Sequence, residues 1–206
     1  NSLSDLLVFG NLAGKGASSY IKKINEMPKF NKEDVKEIIR SATNILNRAE
    51  GNNPYFMHED LQKNMQQNVG IIRTDIELQK GIETIEELKN KYTTVKANGS
   101  SQFNPGWHEA LGMRNLLITA EAVARAAYLR TESRGAHTRD DFPNENNEWY
   151  KHNIIIKKGG DNKMEVNKQE RQEADAELIR IANSKLEDLE DEVLNGGVDG
   201  TRGSIN

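Results

Sequence analysis

The chain has 206 residues, 35% hydrophobic and 29% charged, with a net charge of −4 and no cysteine. That length and apolar share allow a packed core and exclude a disordered chain, and the charge excludes the strongly basic surface that generic nucleic-acid binding needs. Without thiols the chain has no disulfide, no thiolate metal site and no iron–sulfur ligands of its own. Four prolines and long stretches of Ala, Leu, Glu, Lys and Gln predict a mainly α fold. Ser2 to Asp5 reads as an S-x-x-D capping pattern, with Ser2 as N-cap, ahead of the apolar run Leu6 to Phe9. Gly10, Gly14 and Gly16 interleave with Ala13 and Ala17, small residues that let another backbone approach, so this first helix is expected to be buried. An opening on Asn1, without Met and already at a helix cap, reads as cut from something longer.

Residues 26–34, around Pro28, are expected to be a linker. Val35, Ile38, Ile39, Ala42, Ile45 and Leu46 then repeat at helical spacing until Gly51-Asn52-Asn53-Pro54. Leu61, Met65, Val69, Ile72 and Ile76 continue that spacing and predict one long helix reaching Leu88, irregular near Gly81. Asn98-Gly99-Ser100-Ser101 is a loop. From about Trp107, the residues Met113, Leu116, Leu117, Ala120, Val123, Ala124, Ala127 and Tyr128 form another apolar stripe ending near Arg130. These helices predict an antiparallel bundle around one core. Trp149 to Ile156 and Met164 to Val166, separated by Gly159-Gly160-Asp161-Asn162, predict a small C-terminal β-hairpin anchored by Trp149, with Lys157-Lys158 solvated near its turn. Beyond it Ile179, Ala182, Leu186, Leu189 and Val193 form a short heptad-like seam in a helical tail, laid on the bundle surface and fraying from Gly196. Residues 169–206 carry a local charge of −6, leaving +2 on residues 1–168, so the acidity belongs to the tail. No apolar run approaches a membrane span of about 20 residues.

The densest chemistry lies in Arg130-Thr131-Glu132-Ser133-Arg134-Gly135-Ala136-His137-Thr138-Arg139-Asp140-Asp141-Phe142-Pro143, just past a helix end. On residue types alone, an ion-pair cluster fastening this loop to a neighbouring domain is preferred to direct catalysis. His58, His108, His137 and His152 include no pair at H-x-H or i, i+4 spacing, so no metal site is expected.

Four segments in order, namely Asn1 to Gly10, Met65 to Arg73, Arg130 to Pro143 and Trp149-Tyr150-Lys151-His152, resemble the C-terminal part of the succinate dehydrogenase/fumarate reductase flavoprotein subunit. The resemblance covers about 1–27 and 57–157, and R-x-E-S-R-G-A-H-x-R is its most specific run. It implies an oxidoreductase acting on a CH–CH bond, in which FAD takes a hydride from succinate, or the reverse, and electrons pass to an iron–sulfur subunit. It further implies that Ser2 and Leu3 border the isoalloxazine ring of FAD at a helix N-terminus, whose partial positive charge suits a reduced flavin. Arg130, Glu132, Arg134, His137 and Arg139 are implied to brace the site from behind, facing the N-terminal FAD and capping domains of the same subunit.

The family's dinucleotide glycine motif and catalytic side chains are implied to lie upstream of Asn1. The chain alone is therefore expected to hold no catalytic residue, to retain no FAD and to be inactive. The implied organisation is 1–27 as terminal helix of the FAD-binding domain, 28–145 as helical bundle, 146–168 as hairpin and 169–206 as acidic helical tail. The implied location is cytoplasmic, with membrane contact only through partner subunits. An L-aspartate oxidase-like flavoprotein and a non-enzymatic helical interaction module are the alternatives. An upstream G-x-G-x-x-G after a strand would speak against the second.

Overall fold

The computed structural model describes residues 2–24, 26–27 and 29–195. Helix α1 (Ser2–Lys22) starts on Ser2, which takes the first helical position rather than the N-cap; Asn1 and the Ser2 side chain lie outside the described residues. The expected burial of α1 is not found. Leu3 is 78% exposed and Phe9 64%, and a Cβ placed on Gly10, Gly14 or Gly16 would meet nothing within 4 Å. The helix has the composition of a buried element, but no described residue covers it.

Helix α2 (Lys32–Asn47) begins inside the expected linker, because Asn31 caps it: its side chain accepts from the Glu33 amide at 3.0 Å. Of its apolar stripe only Ile45 is buried. The turn that follows is closed by backbone pairing, Asn52 N–H to the Thr94 carbonyl at 3.0 Å and Lys96 N–H to the Asn52 carbonyl at 2.9 Å.

Three long helices make the bundle: α3 (Pro54–Asn68), α4 (Asp75–Tyr92) and α5 (Pro105–Leu129). The single helix expected from Leu61 to Leu88 is two. Strand β1 (Ile72–Arg73) interrupts it and pairs in parallel with β2 (Thr138–Arg139). Thr74 and Glu77 explain the restart, since the Thr74 amide donates to Glu77 Oε2 at 3.0 Å and the Glu77 amide donates to Thr74 Oγ1 at 3.3 Å, a reciprocal capping box. Ile72 and Ile76, expected in the core, are 65% and 79% exposed. No irregularity occurs at Gly81, which lies in regular helix. A Cβ there would come within 2.8 Å of Val69 Cγ2, and its carbonyl accepts from Asn64 Nδ2 at 3.0 Å, so this glycine admits the end of α3.

The expected single core divides between two compact units. One combines the stretch up to Asp60 with Leu88–Leu116, and the other Leu61–Glu87 with the stretch from Leu117 on. In the first, Ile45, Met57, Leu88, Val95, Ala97, Ala110 and Met113 are buried, and the Trp107 indole donates to the Ala42 carbonyl at 2.9 Å. In the second, Leu61, Val69, Leu78, Ile85, Leu117, Ala120, Ala124 and Ala127 are buried. There α4 and α5 run antiparallel, with Gln79 bonded to Tyr128 and Glu86 to Arg125.

Trp149 and Tyr150, expected in a strand, instead form one helical turn, α6 (Asn147–Tyr150), because Asn146 caps it. Trp149 is buried and donates to Thr131 Oγ1 at 3.0 Å, which anchors the hairpin as expected. Strands β3 (His152–Lys158) and β4 (Met164–Glu170) pair antiparallel from His152↔Glu170 to Lys158↔Met164. The tail holds two short helices rather than one, α7 (Ala176–Asn183) and α8 (Leu186–Asn195). No residue of α7 is buried, so the expected seam packs nothing through Ile179. The Val193 side chain and the fraying expected from Gly196 lie outside the described residues. No described helix is long and apolar enough to cross a membrane.

Candidate functional site

The last carbonyls of a helix need donors from elsewhere. At the end of α5 they come from Arg139, which is fully buried. Its Nη1 donates to the carbonyls of Ala127 at 3.1 Å and Tyr128 at 3.2 Å, while Nε and Nη2 form a fork on Asp141 at 2.8 and 2.7 Å. Asp141 also accepts from the Asp75 amide at 2.9 Å, the first residue of α4. One ion pair thus closes two helix ends, with the cation at a C-terminus and the anion at an N-terminus, as the helix dipoles favour. The hydrogen bond from Arg139, aided by the Asp75 amide and opposed by burial, holds the Asp141 carboxyl down to about 2.

A second ion pair lies beside the first. Glu132 is fully buried and receives Arg130 Nη2 at 2.5 Å, Arg134 Nη2 at 3.1 Å and the Asn146 amide at 2.8 Å. Burial alone would raise its pKa, but the hydrogen bonds from Arg134, the Asn146 amide and Arg130 outweigh it and hold the carboxyl at about 2. Arg134 also reaches Glu145 at 3.1 Å. The chain reverses between Arg134 and His137, whose backbones exchange bonds of 2.8 and 3.0 Å, and Gly135 takes φ +58° in that turn. A positive φ at the first central position of a two-residue turn favours glycine. Ser133 ties the loop shut, accepting from the Arg139 amide at 2.8 Å. Aromatic faces back the guanidinium groups: Trp149 lies 5.4 Å from Arg130, Tyr150 5.7 Å from Arg134 and Phe142 5.0 Å from Arg139.

His137 joins the loop to β1. Its Nε2–H donates to the Arg130 carbonyl at 3.0 Å, and Nδ1 accepts from Arg73 Nη1 at 2.9 Å. Burial, opposed by the bond to the Arg130 carbonyl and reinforced by Arg73, Arg139 and Arg130, lowers its pKa, so the ring is neutral with both nitrogens engaged.

Residues 58–199 match the protein-family model described as fumarate reductase flavoprotein C-term. The chain belongs to this succinate dehydrogenase/fumarate reductase flavoprotein family. An uncharacterised FAD-dependent oxidoreductase of Methanocaldococcus jannaschii is 37% identical over 76% of this chain and 28% of its own length. A succinate dehydrogenase flavoprotein subunit of Rickettsia bellii is 34% identical over 75% of this chain and 26% of its own length. Among solved structures, a chain of the Mycobacterium smegmatis Sdh1 complex in the apo form superposes with a TM-score of 0.82 at 40% identity, covering 92% of this chain and 32% of that one. The chain therefore spans a quarter to a third of the length of these relatives.

In this flavoprotein family member, Arg130, Glu132, Arg134, His137 and Arg139 are gathered in one loop, as the sequence grouped them. Leu3 stands exposed on α1. Three contributors were given no role of their own from sequence, although Asp141 lies in the run singled out above. For Asp141 the signal was proximity, two residues past Arg139 in a turn that the Phe142 amide closes on the Arg139 carbonyl at 3.2 Å. Asp75 and Arg73 had none, since only the β1–β2 pairing brings them near the loop. The other histidines are engaged structurally: His58 pairs with Glu109 at 2.5 Å, His152 with the Glu148 carbonyl at 2.6 Å, and the His108 ring lies 5.9 Å from that of Trp107. Among the described residues no group of side chains could hold a metal. An open groove of about 460 Å³ between α4, α5 and β4 is lined by Ile82, Leu129, Met164 and Val166, and its Arg125 is already bound by Glu121 and Glu86.

Proposed function

We propose that this chain is the C-terminal helical part of a flavoprotein subunit that interconverts succinate and fumarate with FAD and passes the electrons to an iron–sulfur subunit. The observation that carries this reading is the family match over residues 58–199. It is supported by α1, which precedes the matched segment and exposes the apolar residues a further domain would cover. On this reading residues 1–27 complete the FAD-binding domain, 28–145 form the bundle, 146–168 the hairpin and 169–206 the tail.

The start of α1 suits FAD. The first backbone N–H groups of a helix have no acceptor within it and together carry about half a positive charge. Ser2 and Leu3 would hold the pyrimidine edge of the flavin through those groups. Bound there, FAD supplies the hydride acceptor that no side chain of this protein can provide. Arg130, Glu132, Arg134, His137 and Arg139 then position the neighbouring FAD and capping domains, and His137, with both nitrogens occupied, is not poised as a general base. The parent subunit is placed in the cytoplasm and meets the membrane only through its partners.

The test is flavin content and turnover. The purified chain should show no flavin absorbance and no activity, whereas the complete subunit should carry stoichiometric flavin and oxidise succinate with an artificial acceptor. Stoichiometric flavin in the chain alone, or a complete subunit that oxidises aspartate and not succinate, would refute the proposal.

A further inference from the structure

Four guanidinium groups meet at the loop, and three have carboxylate partners: Arg130 with Glu132, Arg134 with Glu132 and Glu145, Arg139 with Asp141. Arg73 has none among the described residues. Its Nε donates to the Gly70 carbonyl at 2.7 Å and its Nη1 to His137 Nδ1 at 2.9 Å, both uncharged acceptors. A guanidinium has five N–H donors, so most of this one's capacity is unused. His137 cannot supply the missing charge. Its proton is committed to the Arg130 carbonyl, and its bare Nδ1 fixes the plane of the Arg73 fork without neutralising it. Burial and the nearby Arg139 push the Arg73 pKa below its ordinary value, which marks a place short of negative charge.

The residues beside Arg73 are equally unsatisfied. Ile71, Ile72 and Ile76 are 81%, 65% and 79% exposed. A single exposed isoleucine is ordinary, but three within three residues of one arginine in sequence give an exposed apolar stretch next to a fork-shaped cation, a composition suited to an interface. The fork matches a carboxylate held bidentately.

We propose that Arg73, flanked by Ile71, Ile72 and Ile76, receives an aspartate or glutamate set in an apolar segment of the flavoprotein polypeptide that lies outside this chain. This rests on the reading of the chain as part of a longer subunit. Charge complementarity selects an acidic partner over a purely apolar one. Relatives of which the matched stretch makes up only 26–32% supply polypeptide to carry it.

The experiment uses the complete subunit with Arg73→Lys, Arg73→Gln and Arg73→Glu. Flavin occupancy should fall in that order, and amide exchange over residues 70–77 should speed up by roughly tenfold or more in Arg73→Gln, the loss typical when an arginine leaves a hydrogen-bonded charge pair. Second-site changes that restore flavin to Arg73→Glu should convert an upstream Asp or Glu to Lys or Arg. Arg73→Gln carries the test if the charge reversal does not fold. Wild-type flavin content and exchange in Arg73→Gln would overturn the proposal, as would suppressors in the iron–sulfur subunit or in the acidic tail. If the wild-type subunit itself holds no flavin, the parent reading fails and this proposal with it; a flavin-loaded wild type with indifferent variants defeats this proposal alone.

Discussion

Glu132 and Asp141 make the acid stability of this protein a property of two side chains. Both carboxyls titrate at about 2 in the fold, below their ordinary values of 4.5 and 3.8. A carboxyl whose folded pKa is depressed stabilises above its unfolded pKa, and that contribution is lost as pH falls toward the folded value. The window is therefore about pH 4.5 down to 2, and stability should be flat with respect to these groups above about pH 5.5. For fully buried Glu132 the shift corresponds to about 3 kcal/mol, and for partly exposed Asp141 to less, because solvent screens it. His137 acts in the same sense at higher pH: its lowered pKa means that protonation below about 6.5 costs stability. Denaturant titrations from pH 7 to 2.5 check this, with Glu132→Gln as control. The variant should lose about 3 kcal/mol at pH 7, since Arg130 is left without a carboxylate partner and Arg134 with only Glu145, and its acid slope should shrink. An unchanged slope would show that Glu132 does not carry the effect.

At the scale of elements, the break between α3 and α4 depends on Thr74. Its capping box with Glu77 restarts the helix after β1, and β1 is what brings Arg73 and Asp75 to the loop. Thr74→Ala should cost about 1 kcal/mol and raise amide exchange over the first turn of α4, while leaving α5 protected. Equal loss of protection in both helices would show that the cap is not local. The same element shows what sequence could reveal. The α5 stripe was legible in Met113, Leu117, Ala120, Ala124 and Ala127, which are buried at helical spacing, although Leu116 and Val123 of the expected stripe are exposed. The α3–α4 break was not, because Ile72 and Ile76 continue that spacing while standing in solvent, and T-x-x-E competed with a longer periodic signal. Trp149 and Tyr150 have strand propensity, but the Asn146 cap turns them into helix. The loop's residues could be grouped from sequence, but their pairing could not. Arg139 binds carbonyls of α5 and an aspartate that caps α4, a closure that exists only once both helices are placed.

At the scale of the whole chain, α1 sets the problem. It exposes Leu3, Leu6, Leu7, Val8, Phe9 and Leu12 along one 21-residue helix, a density of exposed large apolar residues of the kind that marks an interaction surface. Covering Leu7 and Phe9 alone would contribute roughly 4–6 kcal/mol by area, enough to decide whether a neighbouring domain docks. The double variant Leu7→Glu, Phe9→Lys therefore separates two roles for the helix. In this chain alone it removes nothing buried, so the unfolding midpoint should stay within about 0.5 kcal/mol of wild type, and any concentration-dependent self-association should weaken. In the complete flavoprotein subunit the same two charges would fall inside the contact with the FAD domain, and flavin should be lost together with succinate turnover. A complete subunit that carried both charges and still bound flavin stoichiometrically would mean that α1 faces water in the intact protein, and the assignment of Ser2 and Leu3 to the flavin would fall with it.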